Sequence, residues 1–490
     1  MGPPPRPKTS TQFRPFLSPT VGPTSTGQHI TKWAAKIASS THANMSSNST
    51  PRCNHSSASV TCSQNAAKAG FKRPDTKQRL AATRSDKPSK IHDFKSIPAD
   101  DPWTFPAPLL LPGDDLSEDP EYPPQSFQEW LDEEDRNPVS AKRKTVYVVT
   151  APEIEDDVQF MRTWDNRLGD RHHVAQPSAE AILDYLQAFY HGLPVKSLPR
   201  LTPAFTAWDE EPKTKRKPRQ PRQPKYIALK FGNECVRIRI RPSPDGIFGG
   251  QLNLDDLLDA AIAMLPKDAY ALLLLVHQDL YEDEDDEFVC GRAYGASRVA
   301  VVSSARYNPA LDEHQSVERL HAWPASHCEN YIATCFTTSG PKVKRQKTSK
   351  PTKPIEIKDS SSISSSPLMA AMSIYRDLET TNRSPSALST LWLGRMCRTA
   401  AHELGHCFGI DHCVYYACAM QGTASIREDA RQPPFLCPVD LAKLTHATGA
   451  TAAQRYKALL DFCDRPEYGE CLFFAPFAEW IRGMLGTTLQ

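Results

Sequence analysis

The 490-residue chain has almost no net charge: 58 Lys and Arg stand against 57 Asp and Glu, so no global field draws it to a nucleic acid or a membrane surface. It has no run of about 18 apolar residues, which excludes a spanning helix. Its first residues lack the apolar stretch of about 7–15 residues that marks a secretory signal. Apolar residues, with glycine counted and tyrosine left out, come to about 40%, short of the ~45–50% of an ordinary globular chain. The 43 prolines fit the same picture of an ordered core diluted by unstructured chain. Without export, the 13 cysteines read as reduced thiols or metal ligands rather than as a disulfide framework.

The first 74 residues contain no Asp or Glu, nine Lys or Arg and 21 Ser or Thr. So little apolar content cannot offset the entropy of ordering, and a disordered basic tail is expected over 1–74. A Pro-rich extended segment follows over 75–143, with "PAPLLLPGDDL" and "EYPPQSFQEWL" as short docking stretches.

Order is expected from Lys144 to Leu485. Thr145 to Pro152 is β-branched and reads as a buried strand. Ile182, Tyr185, Leu186 and Phe189 fall on one face of a helix opened by Pro177 and Ser178. "YIALKF" and "CVRIRIR", joined by Gly-Asn, read as a hairpin. An amphipathic helix "NLDDLLDAAIAML" and two further strands, "YALLLLVHQDLY" and "ASRVAVVSSARY", complete an α/β pattern. Polar inserts at 205–225 and 339–366 interrupt it, each with a basic run, and the acid run Glu282 to Glu287 reads as a solvated loop.

The chemistry is concentrated in "RTAAHELGHCFGIDHCVYYACAMQG", Arg398 to Gly422. Ser384 and Pro385 form an N-cap and first-turn pair, from which a helix can run to about Cys407. His402 and His406, four residues apart, leave one face of that helix, a spacing that suits two nitrogens on one Zn²⁺ at about 2.0–2.1 Å. Glu403 lies beside them, placed to touch a zinc-bound water without ligating the metal. Gly409 can adopt the left-handed conformation that reverses the chain and returns His412 as third ligand. Three protein nitrogens leave a position open, the pattern of a catalytic zinc. Chance gives His-Glu-x-x-His in about one or two such chains per hundred, and the added Gly409 and His412 reduce that to a few per hundred thousand. Cys407, inside the helix, reads as a packed core thiol, and sequence does not place the rings of Tyr415 and Tyr416.

His-Glu-x-x-His-x-x-Gly-x-x-His resembles the metzincin metalloproteases, whose zinc helix is followed by a Met-containing turn. Cys413 directly after His412, then Cys418, Met420 and a distal Cys437-Pro438, resembles the archaemetzincin family in particular. That resemblance implies a metzincin-like α/β fold with a mixed sheet, an active-site helix and a Met turn under the zinc. It also implies a second, structural zinc held by Cys413, Cys418 and Cys437. The family pattern ends Cys-x-x-Cys, and here the last position is Asp440. A carboxylate can ligate zinc at about 2.0–2.2 Å, so Asp440 is one candidate fourth ligand, and Cys463 or Cys471 are others.

The expected function is a zinc-dependent metallopeptidase with two Zn²⁺ per chain, Glu403 as general base and peptides or proteins as substrates, aminopeptidase-like by the resemblance. The competing reading is a zinc-stabilised binding module whose basic inserts hold nucleic acid or an acidic partner. Reduced thiols and basic runs suit cytoplasm or nucleus better than the mitochondrion.

Overall fold

A computed structural model of the chain describes residues 53, 55–85, 100–166, 174–199, 202–208, 224–337, 366–378, 380 and 382–488. Among them lie eleven strands: β1 Thr145–Val149, β2 Glu153–Ile154, β3 Val195–Ser197, β4 Ala204–Ala207, β5 Tyr226–Phe231, β6 Glu234–Arg241, β7 Gln251–Asn253, β8 Ala269–Val276, β9 Asp279–Tyr281, β10 Gly291–Tyr294 and β11 Val299–Ser303. They form two sheets. The first runs β10-β11-β8-β1-β3, parallel except for the antiparallel edge strand β10. The second runs β2-β4-β5-β6-β7-β9.

β8 shows why the first sheet is central. All eight of its residues are buried, as expected of a parallel strand covered on both faces. Its alternation divides the molecule: Ala271, Leu273 and Leu275 join the core that holds the long helix Pro385–Cys407, whereas Leu272, Leu274 and Val276 face the second sheet and the helix Leu254–Met264.

The hairpin and the helices foreseen from periodicity are present, and the Gly-Asn turn closes β5 on β6 with Gly232 at φ +56°. The single strand expected over "YALLLLVHQDLY" is instead two, β8 and β9, which belong to different sheets. A second allotment differs. The hairpin belongs to the second sheet, because Ile227, Leu229 and Ile238 bury against Leu272 and Leu274 instead of extending the first sheet's edge.

The segment ahead of Lys144 departs more. Part of the stretch placed in the tail is folded: Ser63 caps a helix at Gln64–Ala69, Phe71 is buried, and Arg73 Nε donates to the Tyr415 carbonyl at 2.7 Å. The Pro-rich segment is likewise integral, with a capped helix at Thr76–Ala82 and another at Phe127–Asp132. Phe105, Phe127 and Trp130 are wholly buried in the main core. Average composition hides this, because a few large side chains supply the apolar area that offsets ordering. Residues 1–52 of the tail, residues 209–223 and residues 338–365 lie outside the described residues, so both polar inserts do for most of their length; residues 205–207 of the first belong to β4.

Candidate metal centre

The site is built on the helix Pro385–Cys407, capped by Ser384, whose hydroxyl accepts from the Ala387 amide. The helix lies against the first sheet, where Trp392 Nε1 donates to the Ser304 carbonyl at 2.9 Å. It stops because Gly409 takes φ +75°, with the Ile410 amide folding back to the Gly405 carbonyl at 3.2 Å. Trp130 Nε1 secures this end from the N-terminal segment by donating to the Phe408 carbonyl at 2.8 Å.

The reversal brings His412 to His402 and His406, with ring centroids 5.3 and 5.0 Å away. One ligand atom from each of the three lies within 4.8 Å of the others. His402 Nδ1 contacts the Ala419 carbonyl at 2.7 Å, and His406 Nδ1 the Ile410 carbonyl at 2.7 Å. Carbonyls only accept, so each Nδ1 carries the ring proton and each Nε2 presents a bare lone pair. Those two Nε2 atoms are 3.1 Å apart. Protonating one ring would relieve the repulsion, but burial holds both imidazoles below their usual range and pushes His412 down to about 3. Two facing lone pairs whose protonation burial disfavours are what a cation resolves.

Beneath the rings, Met420 fills the space over Gly405 so closely that a Cβ there would fall 2.5 Å from its Sδ. Gly422 is as constrained, since a Cβ would fall 2.2 Å from Asp115 Oδ2 and 2.7 Å from His412 Nδ1. Glu403 is half-buried beside the histidines; desolvation pushes its carboxyl up to about 8, and the positive charge of Arg292 on β10 opposes the rise. Arg292 itself pairs with Glu282, which ties the acid run's first residue to the site.

Cys413 follows His412 in the chain, and its Sγ is 3.5 Å from Cys437 Sγ. Asp440 Oδ2 lies 3.3 Å from Cys418 Sγ and 3.4 Å from Cys437 Sγ. Ligand atoms of all four lie within 4.8 Å of one another, and all four residues are buried. Asp440 is in the first turn of the helix Pro438–Thr448, where the partial positive charge of the helix N-terminus favours anions. Burial and then the charge of Cys413 push the Asp440 carboxyl up to about 7, against the pull of Lys443. Lys443 Nζ is 3.0 Å from Asp440 Oδ1 and 2.7 Å from Gln125 Oε1.

Cys463 and Cys471 sit instead around Cys397, with which they interact electrostatically. Cys407 is buried, and desolvation pushes its thiol up, the opposite of an activated nucleophile. Tyr416 points into the N-terminal segment, with its hydroxyl on Asp100 at 3.3 Å and Arg73 over its ring. Tyr415 is buried and its strongest electrostatic neighbour is Cys413.

Sequence reasoning did not reach Arg292, Tyr122, Gln125 or Lys443. The Tyr122 ring lies 5.7 Å from that of His412. Gln125 donates to the Gly409 carbonyl at 3.0 Å while accepting from Lys443, so one amide spans both donor sets. The one local signal was Lys443, three residues from Asp440 on the same helix face.

A profile of peptidase family M54 matches residues 381–446, the stretch that holds both donor sets. Archaemetzincin-2 of Macaca fascicularis is 24% identical over 74% of this chain and 76% of its own, and the human archaemetzincin-2 is 24% identical over 73% and 74%. Human archaemetzincin-1 is 39% identical over 71 residues, 14% of each chain. Among solved structures, the archaemetzincin of Methanopyrus kandleri aligns with 64% of this chain and 99% of its own, at 15% identity and a TM-score of 0.29. By these sequence matches the chain is similar to the archaemetzincins over about three quarters of its length, and the stretch that holds both donor sets matches peptidase family M54.

Proposed function

We propose that His402, His406 and His412 hold a catalytic zinc, that Glu403 is the general base, and that Cys413, Cys418, Cys437 and Asp440 hold a second, structural zinc. The observation that carries this reading is the contrast between the two donor sets. The three histidines are only partly buried, so an ion among them could reach substrate, whereas the thiol and carboxylate set is closed from solvent on all four members. Neutral imidazoles, with their Nδ1 protons anchored on carbonyls, are the form in which histidine ligates zinc.

Zinc in the histidine set supplies Lewis acidity toward the scissile carbonyl and acidifies water to a pKa of about 7. The rest falls to the chain's own groups. Glu403 takes the proton of the attacking water and delivers it to the leaving amine, tasks suited to a carboxyl whose pKa is raised toward neutrality. Arg292 keeps enough of that carboxyl ionised to accept the proton. Met420 and Gly405 fix the depth of the rings, which belongs to a metzincin-type Met turn. The substrate class is peptides or proteins, with the aminopeptidase-like preference resting on the resemblance alone.

Glu403→Gln at unchanged zinc content tests the mechanism. A loss of at least ~10²-fold in kcat is expected for removal of a general base, and full activity at equal zinc overturns it. Paired substrates with free and blocked N-termini test the aminopeptidase preference. The basic runs on which a nucleic-acid-binding or acidic-partner module depends lie, Lys225 apart, outside the described residues, and no observed feature favours that reading.

A further inference from the structure

A second cluster of histidine and cysteine lies outside both donor sets. The chain at 57–59 runs beside 327–329: Ala58 bridges to Cys328, the Ser59 amide donates to the His327 carbonyl at 2.8 Å, and the Glu329 amide to the Ser57 carbonyl at 3.3 Å. This pairing brings Cys53 Sγ to 3.4 Å from Cys328 Sγ. The short helical turn Arg319–His321 closes over the same spot, with the rings of His55 and His321 5.5 Å apart, edge to face. Ligand atoms of Cys53, His55 and His321 lie within 4.8 Å of one another.

Hydrogen bonding singles this cluster out. His55 is 3% exposed, and neither of its ring nitrogens has a well-formed hydrogen bond, the Leu320 carbonyl acting only as a favourable neighbour. His321 is 8% exposed, and its Nε2 also lacks a well-formed hydrogen bond, with the Cys53 thiol as its favourable neighbour. Buried imidazole nitrogens without well-formed hydrogen bonds are costly, because each has lost its water. His321 Nδ1 is meanwhile held by Glu318 Oε1 at 2.9 Å, and the ring is stacked on Tyr331 with centroids 4.3 Å apart. A carboxylate on one ring nitrogen, with the other left bare, is how proteins present a histidine to a metal.

We propose that Cys53, His55 and His321, with Cys328 as fourth ligand, form a further zinc site that fastens the segment ahead of the domain to the 319–328 loop. The donors suit tetrahedral zinc, and two thiolates on one such ion at about 2.3 Å sit roughly 3.8 Å apart, close to the sulfur separation here. His55, His321 and Cys328 are buried and Cys53 is partly so, beside Leu109, Leu111, Leu368 and Met372, and with all four positions taken by protein ligands the role is structural. It does not depend on either metal set of the proposed peptidase.

The test is a difference in metal content, so it does not depend on how many zincs the other sets hold. Full-length parent, Cys53→Ser, His321→Ala and the double variant are purified from zinc-supplemented cells, and zinc per chain is counted by elemental analysis. Each single variant is expected to lose one zinc relative to the parent. The double variant is expected to lose one and not two, and His321→Cys to regain it, which a merely packed histidine would not do. Iodoacetamide labelling of the parent supplies a readout that needs no variant to fold. Cys53 should be protected in the zinc-loaded protein and labelled after chelator. Equal zinc in parent and His321→Ala overturns the proposal, as does equal labelling of Cys53 with and without chelator. So does recovery of a Cys53–Cys328 disulfide-linked peptide from the unreduced parent.

Discussion

Lys443 Nζ lies 3.0 Å from Asp440 Oδ1, and both side chains are almost wholly shielded from solvent. One carboxylate oxygen therefore faces the sulfurs while the other faces an ammonium group. This explains how aspartate can stand where the family pattern has cysteine: the lysine neutralises an oxygen that would otherwise be buried with a surplus of negative charge.

The pairing bears on Asp440→Cys, the change that would restore the four thiolates of the family pattern. Asp440→Cys removes the carboxylate that Lys443 contacts and leaves a buried cation with Gln125 as its hydrogen-bond partner. Stranding one member of a buried pair costs about 3–5 kcal/mol. Asp440→Cys is thus expected to melt no higher than the parent, and Asp440→Cys with Lys443→Met to melt above Asp440→Cys alone. Thermal melts of the parent, Asp440→Cys, Lys443→Met and the double variant at fixed zinc check this, and additive effects of the two changes would refute the coupling.

Gly422→Ala places a methyl group where Asp115 Oδ2 and His412 Nδ1 already stand. Either the Asp115 carboxylate or the His412 ring must yield, and His412 is one of the three histidines of the donor set. Overpacking of this kind costs about 1–3 kcal/mol, and here it is expected to appear as weaker metal retention at the histidine set and a parallel loss of activity. Dialysis against graded chelator, followed by zinc counting and peptidase assay, measures both. Unchanged retention would mean that Asp115 moves instead of His412.

Arg292 opposes the rise in Glu403's pKa. Removing its charge in Arg292→Gln lets that pKa climb, so the base is protonated over a wider range. The acid limb of the kcat/KM profile is therefore expected to move to higher pH, with activity at alkaline pH less affected. A profile that keeps its acid limb would assign the limb to another group.

The N-terminal segment gives the fourth prediction. Trp130 and Gln125 both reach the reversal after the helix Pro385–Cys407, through the Phe408 and Gly409 carbonyls. A chain beginning at 144 lacks both, and loss of a buried tryptophan alone costs about 3–5 kcal/mol. Such a chain is expected to be insoluble or inactive, whereas one beginning at 50 keeps its activity. Limited proteolysis should give a resistant fragment that starts near 50–55, and a resistant, active fragment starting after 130 would contradict the packing.

What the sequence disclosed and withheld divides along physical lines. His402, Glu403, His406, Gly409 and His412 were legible because helix pitch and a glycine reversal place them, and both act over a few residues. Ser384 and Cys407 as helix limits were readable for the same reason. Arg292, Tyr122 and Gln125 come to the site from about 110 to 290 residues upstream, carried by sheet order and by packing of a Pro-rich segment that no local periodicity encodes. Phe105 and Trp130 were obscured differently, since a few large apolar side chains anchor a stretch whose mean composition resembles a linker.

His412 and Cys413 are joined by a single peptide bond, yet one belongs to the half-open donor set and the other to the closed one. An ion bound on either side therefore restricts the dihedral angles available to the other. By reciprocity, whatever factor the first ion adds to the affinity for the second, the second returns to the first. Filling should consequently be cooperative, with half-loaded chains scarce. A falling supply of metal would then be registered by the population as a fraction of chains switched off, and not as a gradual dimming of each one.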